Sequence, residues 1–423
     1  MKLFILLNLT LLLALVFGLI RHKTKPSFTI SHLLLVILWA TDPVFQNLSE
    51  RFQVLNSQVV SGKLVLSDFL YYSMLISVLT ILVIRSLTRD NLTFRDRILG
   101  VRAFLPFIVA FYALTQSILF HQGWLQPLVS TGIYFLVMLL PDRISVETLF
   151  LSALYSFVVI LISQLIHLSS ALSTAPCRLD KCIYFEYVYN GNGNGLGLRI
   201  MFITLLICTL GYGLRLLYFG ILIIPYLVFL GGRTSLYVYL LFFTFLHLTR
   251  CLAINLRAPL LKAITSISIA ISLIPVFVNF DDSAFTFRGQ LWNSARTIFS
   301  ENSLIGHGPS YWVYIGGDFG FFANNGTHNI WLDSLVSGGI LSAVILGYWL
   351  LITSYRLNST NPDLMILIGA LVLAGTVESV FSFWKIAFGF PVVATVLLLR
   401  TSIKEEKSFK EKILYGNLNR GRS

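Results

Sequence analysis

His328 and Asn329 stand where a glycine- and asparagine-rich stretch, "GGDFGFFANNG" (316–326), runs into the apolar "IWLDSLVSGGIL" (330–341). Near neutral pH an imidazole can take a proton from a hydroxyl, which is the task of a general base. A helix-capping histidine is the plainer alternative. His307, in "GHGPS" (306–310), is the rival on chemistry, whereas His22, His32, His121, His167 and His247 fall in apolar runs or short turns and read as structural. Three arginines could supply fixed positive charge: Arg233 in "FLGGRTSLYVYL", Arg288 in "FRGQLW", and Arg296 on roughly the same helical face as Arg288. Guanidinium forks bind phosphate oxygens bidentately and stay charged at any biological pH, so two or three converging on one site suit a pyrophosphate. At Arg233 an interfacial, snorkelling arginine is the alternative. Asp281, Asp282, Glu301 and Asp318 surround the loop arginines, so that loop is no general anion trap. Metal catalysis lacks a basis: on the side outside the membrane there is no Asp-x-Asp, no His pair at i, i+4 and no tight carboxylate cluster apart from Asp281-Asp282 at a span end.

The elements that must position these residues are apolar helices. Of 423 residues, 56% are hydrophobic and only 12% charged, too apolar for a domain whose whole surface faces water. A membrane-crossing helix needs roughly 20 mostly apolar residues. Candidate spans lie near 3–20, 28–45, 64–84, 103–120, 124–140, 146–168, 196–214, 216–231, 234–252, 260–280, 329–352, 364–384 and 386–399. The expected fold is all-α, a polytopic bundle of about 12 or 13 transmembrane helices, forming one domain over 1–400 with a solvated tail at 401–423.

The formal charge of +12 reports orientation rather than a nucleic-acid partner. Most Lys and Arg fall in the tail and in every second connection, such as "RHKTK" (21–25), "RSLTRDNLTFRDR" (85–97) and "RCLAINLRAPLLK" (250–262). By the positive-inside rule these are cytoplasmic, with the C-terminus, and segments 46–63, 169–195 and 281–328 lie outside. Within 281–328, Leu291, Ala295, Ile298 and Phe299 recur at helical spacing and predict a short amphipathic helix that "GHGPS" ends. The rest is composed like a loop over a cavity. Cys208 and Cys251 read as small buried apolar residues in spans; Cys177 and Cys182, together in "CRLDKC", can close a disulfide outside the cell or remain free thiols.

Taken in order, "YNGNGNGLGLRI" (189–200), "GGRTS" (231–235), "FRGQLW" (287–292), "LIGHGPS" (304–310), "THNIWLDSLVSGGIL" (327–341) and "GTVESVFSFW" (375–384) resemble the O-antigen ligase / O-antigen polymerase superfamily of bacterial cell-envelope proteins. The likeness covers 189–384; before that, the chain matches only as a stack of apolar helices. One departure is Gly232, which precedes Arg233 where the family commonly has serine.

The resemblance implies a C-type glycosyltransferase in the bacterial inner membrane, with its active site outside the cytoplasm. It would use a polyprenyl-diphosphate-linked glycan donor and a lipid-linked glycan acceptor, and no cofactor or metal. Arg233 and Arg288 would hold the donor diphosphate, and His328 would activate the acceptor hydroxyl for inverting attack. Asn329 would orient His328 or the glycan, and Gly306 and Gly308 would let backbone approach substrate. A chain-length regulator and a flippase are the implied companions. Polymerisation of repeat units is the first reading and ligation to lipid A core its alternative. A polysaccharide flippase is a third, although it calls for ionisable groups deep in several helices, and Asp68, Arg199 and Glu378 lie near predicted outer ends.

Overall fold

The computed structural model describes residues 10, 29–41, 66–89, 101–120, 122–140, 144–171, 193–211, 213–230, 232–312, 326–384 and 389–399. Among them there is no strand, and the protein is all-α. The helices are α1 (Ile30–Val36), α2 (Leu66–Arg89), α3 (Val101–Leu119), α4 (Leu125–Leu139), α5 (Val146–Ala171), α6 (Gly193–Leu210) and α7 (Leu214–Leu230), followed by α8 (Arg233–Arg250), α9 (Ile254–Phe277), α10 (Ala284–Glu301), α11 (Ile330–Thr360), α12 (Met365–Ala374) and α13 (Phe390–Leu398). Three of them carry stretches long and apolar enough to cross a membrane, at Val146–Leu165, Asn255–Phe277 and Ile330–Asn358. Shorter apolar helices occupy most other expected positions. The expected first span (3–20), the Cys177–Cys182 pair and the tail lie outside the described residues, apart from Thr10.

The chain divides into two compact units. The first comprises Met1–Leu82, Asp142–His247 and Leu398–Ser423. Its centre is α6, whose residues 195–210 are all buried, as expected of a helix apolar on every side. It packs on α5 and α7, and α5 on α1. Arg199 is among these buried residues, at 2% exposure, and its Nη1 donates to the Leu38 carbonyl in the π-helical turn Ile37–Thr41 that follows α1. It is therefore an interior residue of this unit. The Tyr239 hydroxyl of α8 donates to Gly220 O of α7 at 2.9 Å. Cys208 is buried as expected, but Cys251 is exposed, because α8 ends at Arg250 and leaves it in a turn.

The second unit comprises Val83–Pro141 and Leu248–Leu397. Here α9 packs on α10, α11 and α12, α11 also meets α3 and α10, and α3 pairs with α4. The expected amphipathic helix is α10, with Leu291, Trp292, Ala295 and Ile298 buried against Trp312 and against Leu332, Leu335 and Val336 of α11. It ends at Asn302, before "GHGPS" is reached.

Three expected boundaries are corrected. The span placed at 329–352 runs to Thr360 and is broken at Gly339, whose φ of 66° and ψ of −166° only glycine adopts freely. The span placed at 364–384 stops at Ala374, and the described residues after it, 375–384, form turns, with Gly389 N–H donating to Val380 O at 2.6 Å. The last span, 386–399, is a helix of only nine residues. Apolar side chains continue through the turn because it is buried: Phe381 and Phe383 pack on Trp349 and on each other, and Tyr134 meets Phe383 and Phe390 edge-on.

At one end of α9 an ion cluster ties three elements together. Arg257 of α9 and Arg250 of α8 both pair with Asp363, which sits in the 3₁₀ turn Pro362–Leu364 and is 1% exposed. Removing that carboxylate takes a shared anion away from two largely buried arginines. Asp363→Ala is therefore expected to destabilise this unit by ~3–5 kcal/mol, read as a lower melting temperature of the detergent-solubilised protein. Arg250→Ala, which keeps one pair, should lower it less.

Candidate functional site

Toward the other end of α9, roughly 22 Å along its axis from Arg257 to Ser272, the chain assembles a polar cluster from three segments. The first is "THN" (327–329) at the mouth of α11. Asn329 is fully buried, and its Oδ1 accepts from Trp331 N and Leu332 N at 3.0 Å each, capping the helix. Its Nδ2 donates to Ser272 O of α9 and to Thr376 O. Thr327, also buried, donates its N–H to Asp333 Oδ1 at 2.7 Å and its hydroxyl to Asn329 O at 3.0 Å. Held between these clamps, His328 adopts φ 58°, an uncommon conformation for a residue with a side chain. Its N–H donates to Ser379 Oγ at 3.0 Å, and its imidazole remains 22% exposed.

The second segment brings Glu378, which sits in the turns leaving α12, with Glu378 N–H donating to Ala374 O. The backbone here is pinned to α11, since Ile330 N–H donates to Gly375 O at 2.9 Å and Asn329 to Thr376 O. The third segment is the start of α10, which carries Arg288. Its Nη1 donates to Phe285 O at 3.0 Å, and both Phe285 and Phe287 have positive φ. Backbone strain next to an arginine is a common mark of a functional site.

The Glu378 carboxylate joins the three segments. Its Oε1 lies 2.5 Å from Arg288 Nη2 and its Oε2 lies 3.2 Å from His328 Nδ1, with the carboxylate side chain 8% exposed and the guanidinium 19%. An ionised carboxylate only accepts, so Nδ1 carries the hydrogen and Nε2 is the basic atom of the ring. The Arg288 Nε is buried with no hydrogen-bond partner among the described residues. The arrangement can therefore hold an imidazole in one tautomer, stabilise it once protonated, and offer an oxyanion an unused guanidinium N–H.

The expected site residues separate accordingly. Arg288 and His328 meet through Glu378, which sequence reasoning had noted only as an ionisable group near a span end; an acidic residue inside an apolar run was the available signal. Of the two expectations for Asn329, the geometry fits the positioning of His328, because its side-chain oxygen and both donors are spent inside the protein. Gly306 and Gly308 are corrected. A Cβ on Gly306 would lie 2.6 Å from Gly339 N and Ser337 O, and one on Gly308 would strike the Gln122 side chain, so the approach they permit is to the protein itself. There, His307 N–H and Gly308 N–H donate to Val336 O and Ser337 O, and Ile340 N–H to Ser303 O, satisfying backbone groups that the break in α11 exposes.

His307, the rival on chemistry, has its Nε2 2.8 Å from Ile298 O and its ring stacked on Tyr311, so it is tied to α10. Arg296 is occupied by the carbonyls of Pro275 and Val278 and by Asn279 and Asn293, away from Arg288. Asp281 accepts from the N–H and hydroxyl of Ser283, which hold its carboxyl below the usual range. Arg233 opens α8 in the first unit, where it is exposed.

Asn329→Ala should cost at least ~1–2 kcal/mol through the lost cap. It is also expected to accelerate amide hydrogen exchange at Trp331 and Leu332 and to leave exchange in the middle of α9 unchanged.

In comparisons with known proteins, no family model matches the chain and no curated protein matches it.

Proposed function

We propose that the protein is a membrane-embedded glycosyltransferase that moves a glycan from a polyprenyl diphosphate to an acceptor hydroxyl on the non-cytoplasmic side of a bacterial inner membrane. The single observation that carries the reading is the Arg288–Glu378–His328 cluster, with an imidazole oriented by one oxygen of a carboxylate and a guanidinium held by the other. Its place supports the topology. The Arg250–Arg257 connection, basic and hence cytoplasmic by the charge rule, lies at the opposite end of α9. In this reading the helices form a polytopic bundle, of which three carry long apolar stretches.

The chemistry balances without a cofactor. His328 Nε2 takes the proton of the acceptor hydroxyl as its oxygen bonds to the anomeric carbon, and Glu378 stabilises the imidazolium that forms. On the opposite face the bond from the anomeric carbon to diphosphate breaks, and the electron pair leaves with the polyprenyl diphosphate, so the configuration inverts. Arg288 neutralises charge where it develops. On the resemblance alone, Arg233 supplies a second guanidinium for the donor. Polymerisation of lipid-linked repeat units is the form of the reaction carried forward, with ligation to lipid A core as its alternative.

Purified protein supplied with lipid-diphosphate-linked repeat units should build a ladder of products in the presence of a chelator; a ladder only with added lipid A core acceptor would select ligation. His328→Ala should slow transfer by ~10²–10⁴-fold, the usual worth of a general base. A variant with unchanged transfer would remove the imidazole from the mechanism.

Arg233→Lys should also depress transfer, because a point charge does not replace a bidentate fork. Full activity in that variant would leave Arg233 an interfacial anchor.

A further inference from the structure

Glu378 is a single carboxylate serving two cations, and this arrangement has a consequence for the order of events. Its Oε1 is committed to Arg288 and its Oε2 to His328. A further charged group on the described residues beside His328 is Asp333, in the first turn of α11, whose Oδ1 is engaged by the N–H of Thr327. Toward this cluster α9 presents Ser272, which does not titrate. Without an incoming anion, Arg288 draws on the carboxylate on which His328 depends.

Resting on the transferase reading above, we propose that Arg288 is a handover residue: the donor diphosphate captures its guanidinium from Glu378, and the released carboxylate is then freed of that competitor at His328. The base is thereby fully supported only when a donor is in place. Two observations favour exchange over a permanent ion pair. Arg288 Nε is a buried donor with no partner among the described residues, so an oxyanion has a guanidinium N–H to take up as the Glu378 contact is given up. The Arg288 side chain is also more exposed than the carboxylate it pairs with, 19% against 8%, so it is the partner an incoming ligand reaches. Charge-assisted bonds of a guanidinium to phosphate and to carboxylate are of similar strength, and such an exchange runs near balance.

The handover makes a prediction opposite in sign to that of a structural ion pair. If Glu378 competes with the diphosphate for Arg288, removing its charge improves anion binding while impairing transfer; binding couplings of this kind are typically about 5–150-fold. The probe is inorganic pyrophosphate, titrated calorimetrically into the full-length protein in detergent. Glu378→Gln should bind it about tenfold more tightly than wild type and transfer glycan more slowly, and adding Arg288→Gln should abolish the gain. Equal or weaker binding by a Glu378→Gln protein with wild-type melting would overturn the proposal.

If Glu378→Gln does not fold, the wild type still decides. The His328 Nδ1–H resonance, followed with ¹⁵N-labelled histidine, should move downfield and exchange more slowly with water when pyrophosphate is added; no change at saturation would sink the handover. The two readings fail separately. Tighter pyrophosphate binding by Glu378→Gln in a protein that transfers no glycan keeps the handover and removes the transferase. Robust transfer with unmoved pyrophosphate affinity does the reverse.

Discussion

The second unit is organised around one nearly buried carboxylate whose two oxygens point at different cations. A charge that is 8% exposed is costly unless it is paired and hydrogen-bonded, and Glu378 meets both conditions only if Arg288 and His328 arrive at defined positions. Each arrives from a different element. Arg288 comes from the strained first turn of α10, His328 from the left-handed residue ahead of α11, and Glu378 itself from the turn that ends α12. The packing beneath them is what makes this geometry persist. Asn329 bonds α11 to α9 and to the Glu378 turn with one side chain, while the aromatic rings of Phe381, Phe383, Trp349 and Tyr134 hold that turn from the other side.

The break in α11 belongs to the same design. A left-handed Gly339 interrupts the helical ladder and would leave carbonyls exposed in an apolar setting. The 302–308 loop supplies the missing donors through His307 and Gly308, and the loop is in turn fastened to α3 by Tyr112 and Gln116, which both donate to Ile305 O, and at its far edge by Gln122. The segment leaving α10 is thus fixed at its C-terminal end to the middle of α11, while the start of α10 is fixed through Arg288 to the mouth of α11. A helix pinned at both ends carries its arginine to a repeatable place.

Much of the helical content was legible in apolar periodicity, and so was the amphipathic character of α10, because burying Leu291, Ala295 and Ile298 on one stripe leaves a 3.6-residue pattern in the sequence. His328 was legible as a titratable group at a helix mouth. The site's third member was not. Residues 375–384 are as apolar as a continuing helix, since the turn they form is buried, and hydropathy does not distinguish a buried turn from a buried helix. The glycines failed for a related reason: sequence shows that backbone can approach closely at Gly306 and Gly308 but not what it approaches, and here that is α11 and Gln122. Asn329 shows the same ambiguity, because an amide suited to a sugar hydroxyl is equally suited to a helix N-terminus.

The two ends of α9 show how a single motif, one carboxylate facing two cations, can serve two purposes. Asp363 is 1% exposed and its arginines, 10% exposed each, lie on regular helices, so the cluster acts as a lock. At Glu378 one arginine is replaced by an imidazole, whose charge depends on a proton, and the remaining guanidinium is more exposed and has an N–H unspent. Replacing a permanent cation with a conditional one lets the carboxylate gain when a proton arrives on His328. A buried carboxylate that gains from each added proton is what a base needs beside it, and the same feature makes this cluster a poor lock. The chain therefore carries, at opposite ends of one helix, a carboxylate between two guanidiniums and a carboxylate between a guanidinium and an imidazole.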